Sequence, residues 1–185
     1  MCITNVLRSK FKIPEQVTII GCGPNGAEYA KDTTDFCITM NASVLLPPTP
    51  NVWICKDIHM LNMPWWNSAK EKADKTNPTI ILSKHLSEAA NFHHDFFYIR
   101  KDFGEINSNT SSAGPCIQLA AMLGAKEIKL CGLDMWGAKD FNCVMNRKDD
   151  AFVKSHLTPL NNLIQYLKND YGIRFQTVSK TLLSI

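Results

Sequence analysis

The chain has 185 residues, 45% of them hydrophobic and 20% charged, with a formal net charge of +3. That is the size of one domain with a substantial core, and such a composition gives no push toward disorder. The mild charge lacks the strong basic bias of a dedicated nucleic-acid binder; it fits an anionic small ligand and gives a DNA or RNA acceptor only thin support. No apolar run approaches the about 20 residues needed to cross a membrane. Residues 1–12 carry Arg8, Lys10 and Lys12 with no apolar stretch behind them, so they do not read as a secretory signal. The seven cysteines, Cys2, Cys22, Cys37, Cys55, Cys116, Cys131 and Cys143, form no CxxC pair. An odd, scattered set argues against zinc and for free thiols in a reducing, cytoplasmic setting.

Along the chain, short apolar runs alternate with amphipathic stretches. Val17 to Gly21, Phe36 to Met40 and Val52 to Cys55 read as the first three buried strands. Thr79 to Leu82, Phe96 to Ile99, Ile128 to Gly132 and Ile173 to Val178 supply four more. Near-continuous apolar strands are what a parallel sheet covered on both faces requires. Residues 46–51 form a proline-rich turn, and Ser68 to Lys75 an exposed helix of mixed charge. A helix follows Ser111 to Pro115, since Pro115 suits a first turn and Gly124 a stop. A second is expected from Thr158-Pro159, with Leu160, Leu163, Ile164 and Leu167 in one stripe, to near Tyr171-Gly172. Ala138 to Asp150 reads as a loop over the sheet edge. With no repeat or linker, residues 1–185 are expected to form a single α/β domain. Its fold would be one doubly wound, mostly parallel, Rossmann-like sheet with helices on both faces.

The chemistry-bearing residues fall where such a sheet places ligands, at the carboxyl ends of the strands. Gly21-Cys22-Gly23-Pro24-Asn25-Gly26 directly follows the first strand. Glycines there let the backbone approach a phosphate, and a helix starting near Asn25 or Gly26 would aim N–H groups at it. The run departs from the dinucleotide fingerprint and from the P-loop, and without a ligand it is a tight strand-to-helix turn. Asn41 and Asp57 follow the second and third strands, as ligand residues or as ordinary turn formers. Ser111, Ser112 and Gly114 offer a second anion cradle or a simple helix cap. Asp134 follows the sixth strand. His156, expected just before the last helix, is the histidine best placed for general-base work. His59, His85 and the His93-His94 pair read as surface or packing residues, and Trp65-Trp66 as packing.

Thr110 to Gly137 resembles a block shared by two related groups. One is the small bacterial sialyltransferases that use a CMP-sugar; the other is the archaeal-type hydroxymethyl-dihydropterin diphosphokinases. The parts that carry the resemblance are Gly23-Pro24-Asn25, Ser112 to Gly114, Leu123-Gly124 to Ile128, and Gly132-Leu133-Asp134. Cys22 and Asn25 stand where the sialyltransferases have Asn and Ser. The sialyltransferase resemblance implies a nucleotide-sugar donor held by Gly21, Cys22, Gly23, Pro24, Asn25, Asn41, Ser111, Ser112, Gly114 and Asp134. It implies His156 as general base in a direct displacement that requires no metal. The diphosphokinase resemblance implies Mg²⁺ on Asp57 and pyrophosphoryl transfer from ATP, although Ile58-His59 replaces a neighbouring acidic residue. A non-catalytic nucleotide-binding module is the third expectation. Donor sugar and acceptor stay open. An acceptor lid supplied by a neighbouring subunit would make a homo-oligomer functional.

Overall fold

The computed structural model describes residues 3–23, 26, 36–98, 111–134, 150–178, 181 and 183–185. Strands β1 (Gln16–Ile20), β2 (Cys37–Met40), β3 (Val52–Cys55), β4 (Thr79–Ser83), β5 (Phe96–Tyr98), β6 (Glu127–Cys131) and β7 (Arg174–Thr177) form one sheet. Its order is β5-β4-β3-β2-β1-β6-β7. All neighbouring pairs are parallel. The helices are α1 (Ile3–Lys10), α2 (Trp66–Thr76), α3 (Lys84–Ala89), α4 (Ala113–Met122) and α5 (Asp150–Tyr171). Short 3₁₀ turns span Asn41–Leu45 and Ile58–Asn62.

Strand side chains alternate between two apolar layers, because successive Cβ atoms leave opposite faces of a pleated strand. Val17, Ile19, Ile38, Met40, Val52, Ile54, Ile81, Ile128 and Leu130 join one layer with α4 and α5, through Ile117, Leu160, Leu163 and Ile164. Trp53, Cys55, Ile80 and Leu82 point the other way, onto Trp66, Ala69 and Ala73 of α2 and Leu86 of α3. Ile20, Cys37 and Cys131 share that second face beside Leu46. The expected doubly wound, Rossmann-like architecture is therefore the observed one, with every strand parallel. β6, with half-buried Glu127 and Lys129, and more fully β7 depart from continuous apolar strands. β7 is an edge, and its residues alternate between exposed and half-buried.

Two elements extend beyond the sequence expectation. α1 was unmarked by periodicity because it is eight residues long. Tertiary contacts hold it: Leu7 is fully buried and the Arg8 guanidinium donates to the Met122 carbonyl at 3.0 Å. α5 begins at Asp150, not at Thr158, and carries Pro159 inside it. A proline there forfeits its own N–H bond to the carbonyl four residues back and crowds that carbonyl, at about 3 kcal/mol. Burial of Leu160, Leu163 and Ile164, with Leu157 packed beside them, outweighs that cost. His156 consequently lies within a helix, not ahead of one. The expected loop over residues 138–149 lies outside the described residues, and Asp150 is already helical.

Candidate functional site

The chain moves outward from β1 to β5, then returns through α4 to place β6 on the other side of β1. The order reverses at the β1/β6 boundary, the point where open α/β sheets bind ligands beyond their carboxyl ends. Register brings Ile20 level with both Thr39 and Cys131. Gly21, Asn41 and Gly132 therefore leave the sheet at nearly one height.

The glycines of the first turn are explained by the turn after β6. A Cβ at Gly21 would lie 2.6 Å from the Gly132 carbonyl oxygen, and one at Gly26 would lie 2.8 Å from the Gly21 carbonyl oxygen. A Cβ at Gly23 would collide with the Asp134 carboxylate. Gly132 itself has φ +66°, and its Cβ would stand 2.7 Å from Gly26 Cα. These four glycines let two backbone segments touch. The N–H groups are engaged as well: Gly21 donates to Cys131 O at 2.8 Å, Gly23 to Gly132 O at 2.7 Å and Gly26 to Gly23 O at 2.9 Å. Three donors that an anion would use are thus committed to backbone carbonyls. Pro24 and Asn25 lie outside the described residues. Cys22 is buried, with its sulfur 3.4 Å from the Met40 carbonyl. Asp134 is buried beside Gly23.

Asn41 is the most tightly specified polar residue at this edge. It takes φ +50°, the left-handed region that asparagine tolerates better than most residues. Its carbonyl accepts the Trp53 indole N–H at 2.9 Å. Burial pushes the nearby Cys55 thiol well up, and the Asn41 backbone partly opposes that push. The Asn41 side-chain Nδ2 donates to Ser112 Oγ at 3.2 Å. Its Oδ1 is buried and has no hydrogen-bond partner among the described residues. Such an orphaned acceptor is unusual and asks for a reason. Ser43, which sequence reading passed over, fixes the base of this feature. It is fully buried, its Oγ accepts the Met40 N–H at 2.9 Å, and that oxygen lies 2.6 Å from the Ile20 carbonyl. The exits of β1 and β2 are thereby tied together. Its signal in the sequence is a lone hydroxyl between Ala42 and Val44, too weak to separate from turn chemistry.

The start of α4 meets Asn41 through Ser112, which is buried. Here Ala113 N–H donates to Ser111 Oγ at 3.2 Å and Gly114 N–H to Ser111 O at 3.3 Å. Pro115 has no N–H to offer. The expected anion cradle therefore presents hydroxyls more than free backbone donors. The Ser112 carbonyl also accepts the buried Cys116 thiol at 3.3 Å.

His156 is half-buried on α5, with Nδ1 3.1 Å from Ser155 Oγ. Asp57 is half-buried where β3 ends, and opens a 3₁₀ turn without a side-chain cap. Among the described residues no group of three His, Cys, Asp or Glu side chains converges to hold a metal ion. Trp65 and Trp66 are core residues, as expected: the Trp66 ring lies tilted 5.8 Å from Trp53 and edge-to-face 6.2 Å from Phe92. His93 and His94 border an open groove with Glu88 and Asn91, where the chain enters β5, at the opposite edge of the sheet. Among the described residues no helix is long and apolar enough to cross a membrane.

No family model matches the chain, and no curated protein does. Solved structures do. The sialyltransferase CstII from Campylobacter jejuni, in complex with the substrate analogue CMP-3FNeuAc, superposes with a TM-score of 0.59 at 16% identity, over 91% of this chain and 83% of that one. A CstII structure with a trisaccharide acceptor and CMP gives 0.59 at 17% identity, over 91% and 83%. The monofunctional α-2,3-sialyltransferase Cst-I from Campylobacter jejuni gives 0.58 at 14% identity, over 95% and 82%. At these identities the likeness is one of fold. It agrees with the sialyltransferase resemblance of the sequence and lends none to the diphosphokinase one.

Proposed function

We propose that this chain is a glycosyltransferase that takes a CMP-sugar-type donor at the carboxyl edge of β1, β2 and β6. The observation that carries the reading is the buried Asn41 Oδ1 beside Ser112, without a partner among the described residues, at the edge where the sheet order reverses. The shared fold with sialyltransferases solved with CMP and with CMP-3FNeuAc supports it. In the proposed reaction an acceptor hydroxyl displaces the nucleoside monophosphate from the sugar carbon. His156 takes the hydroxyl proton. In the tautomer that donates from Nδ1 to Ser155 Oγ, Nε2 carries the lone pair for that step. Hydrogen bonds from the Ser111 and Ser112 hydroxyls stabilise charge gathering on the leaving phosphate. The committed N–H groups of Gly21, Gly23 and Gly26 assign that turn a supporting role, shaping the wall of the site.

The test has two readouts. Thermal shift with CMP, UMP and ATP, each with and without Mg²⁺, reports the ligand. Release of CMP from CMP-sugar donors reports transfer. CMP is expected to stabilise the protein without metal, and His156→Ala to abolish turnover while CMP affinity stays within about twofold. Stabilisation by ATP alone, and only with Mg²⁺, would overturn the reading in favour of pyrophosphoryl transfer. CMP binding with no turnover of any CMP-sugar would leave a binding module.

A further inference from the structure

Residues 181, 183 and 184, which follow β7, hold both the turn after β6 and helix α5. The Thr181 hydroxyl donates to the Leu133 carbonyl at 2.6 Å and accepts the Leu183 N–H at 3.2 Å. Leu183 is buried in the same apolar layer as Leu133, Leu160 and Leu163. The Ser184 N–H donates to Asn161 Oδ1 at 2.8 Å, and Gln165 Nε2 donates to the Ser184 carbonyl at 2.7 Å. One end of this short segment is therefore bonded to the β6 turn and the other to α5.

The two ends differ in what else restrains them. The β6 turn is a fixed point, because Gly132 is packed against Gly21 and Gly26 and accepts the Gly23 N–H. α5 carries a weak point of its own: Pro159 forfeits the helical bond to the Ser155 carbonyl, directly beside His156. Asn161 and Gln165 brace the helix just beyond that gap. We infer that Thr181, Leu183 and Ser184 form a clasp that holds α5 in register with the β6 turn, with Thr181 a positioning residue that acts through the Leu133 carbonyl. The inference rests on the glycosyltransferase reading above and adds how the base is kept in place relative to the donor wall. A general base must lie within hydrogen-bond reach of the proton it takes, and a misplacement of about 1 Å can cost about a hundredfold in rate. The donor wall keeps its own bonds to β1 when the clasp opens, so turnover should suffer and donor binding should not.

The experiment uses the whole chain and the variants Thr181→Val, Thr181→Ser, Asn161→Leu, Asn161→Asp and Thr181→Val/Asn161→Leu. Release of CMP is followed at varied CMP-sugar concentration. Thr181→Val and Asn161→Leu are each expected to lower kcat about tenfold to hundredfold, with the donor KM changed less than about twofold. Thr181→Ser keeps the hydroxyl and Asn161→Asp keeps the acceptor, and both are expected to restore kcat. The double variant should be no slower than the slower single one, because either break opens the same clasp. Amide hydrogen exchange reads the coupling without turnover, each variant at the opposite anchor. The Ser184 N–H should exchange about fivefold faster in Thr181→Val, and the Leu183 N–H about fivefold faster in Asn161→Leu. The inference is overturned if kcat holds in both single variants, if the loss falls on the donor KM, if the two losses multiply in the double variant, or if exchange at the opposite anchor is unaltered. A wild type that turns over no CMP-sugar overturns the glycosyltransferase reading, and the exchange result still decides whether the two anchors are coupled.

Discussion

Replacing Gly132 with alanine is expected to destabilise the fold strongly, for two separable reasons. The residue sits at φ +66°, where a side chain costs about 1–2 kcal/mol. Its new Cβ would stand 2.7 Å from Gly26 Cα and 2.8 Å from the Gly21 carbonyl oxygen. Both are backbone atoms that cannot rotate away, so the clash must move one turn off the other, at about 1–3 kcal/mol more. The sum, about 2–5 kcal/mol, is a large part of the about 5–15 kcal/mol that holds a domain together. For a chain of this size it lowers the melting temperature by about 4–20 °C. Gly172 is the internal control: its φ is +65°, but a Cβ there meets nothing within 4 Å. Gly172→Ala should therefore lose the conformational part alone, about 1–2 kcal/mol. Thermal and urea unfolding of the two variants side by side measures the difference. Equal losses would refute the argument that close approach of the β1 and β6 turns is what requires glycine at 132.

Further expectations concern the same edge and the core behind it. Ser43→Ala removes the acceptor of the buried Met40 N–H and should cost about 1–3 kcal/mol, read as a lower urea midpoint at unchanged slope; an unshifted midpoint would show that the Ser43 bridge carries no load. Burial, with Cys131 close by, pushes the Cys37 thiol from 9.0 up to about 12. The unfolded chain releases that proton first, so stability present below pH 9 is lost as the pH rises toward 12, at about 1.4 kcal/mol per pH unit for this thiol. Unfolding measured between pH 8 and 10.5 should show the decline, and Cys37→Ala should flatten it by one thiol's share. An unaltered slope in that variant would contradict the assignment.

The two layers of the sheet were legible before any coordinates. Runs such as Val17 to Gly21 and Val52 to Cys55 are short, β-branched or apolar, and bounded by turn residues, and a covered parallel strand needs only that. The positions of Asn41, Ser112 and Asp134 at one edge followed from the order of strands. The beginning of α5 was not legible, because Thr158-Pro159 carries a local start signal that burial of the surrounding leucines overrides. Nor was α1, whose eight residues are too few to show a period. Cys37, Cys55 and Cys131, which fall inside strand runs, are buried free thiols, and so are Cys22 in the glycine turn and Cys116 in α4.

The glycine turn shows where the two kinds of information part. From the chain alone, Gly21, Gly23 and Gly26 predict a backbone that must come close to something. Sequence determined that much, since the missing Cβ is a property of each residue by itself. What they come close to is Gly132 and Asp134, in the turn after β6 more than a hundred positions away, and only the folded sheet sets these segments side by side. The same holds for Asn41. A polar residue after a buried strand was readable, but its bonds to the Trp53 indole and to Ser112, 71 residues distant, were not. Periodicity and turn chemistry are local and survive in the linear chain; the partner of a hydrogen bond or of a bare Cα is chosen by tertiary packing.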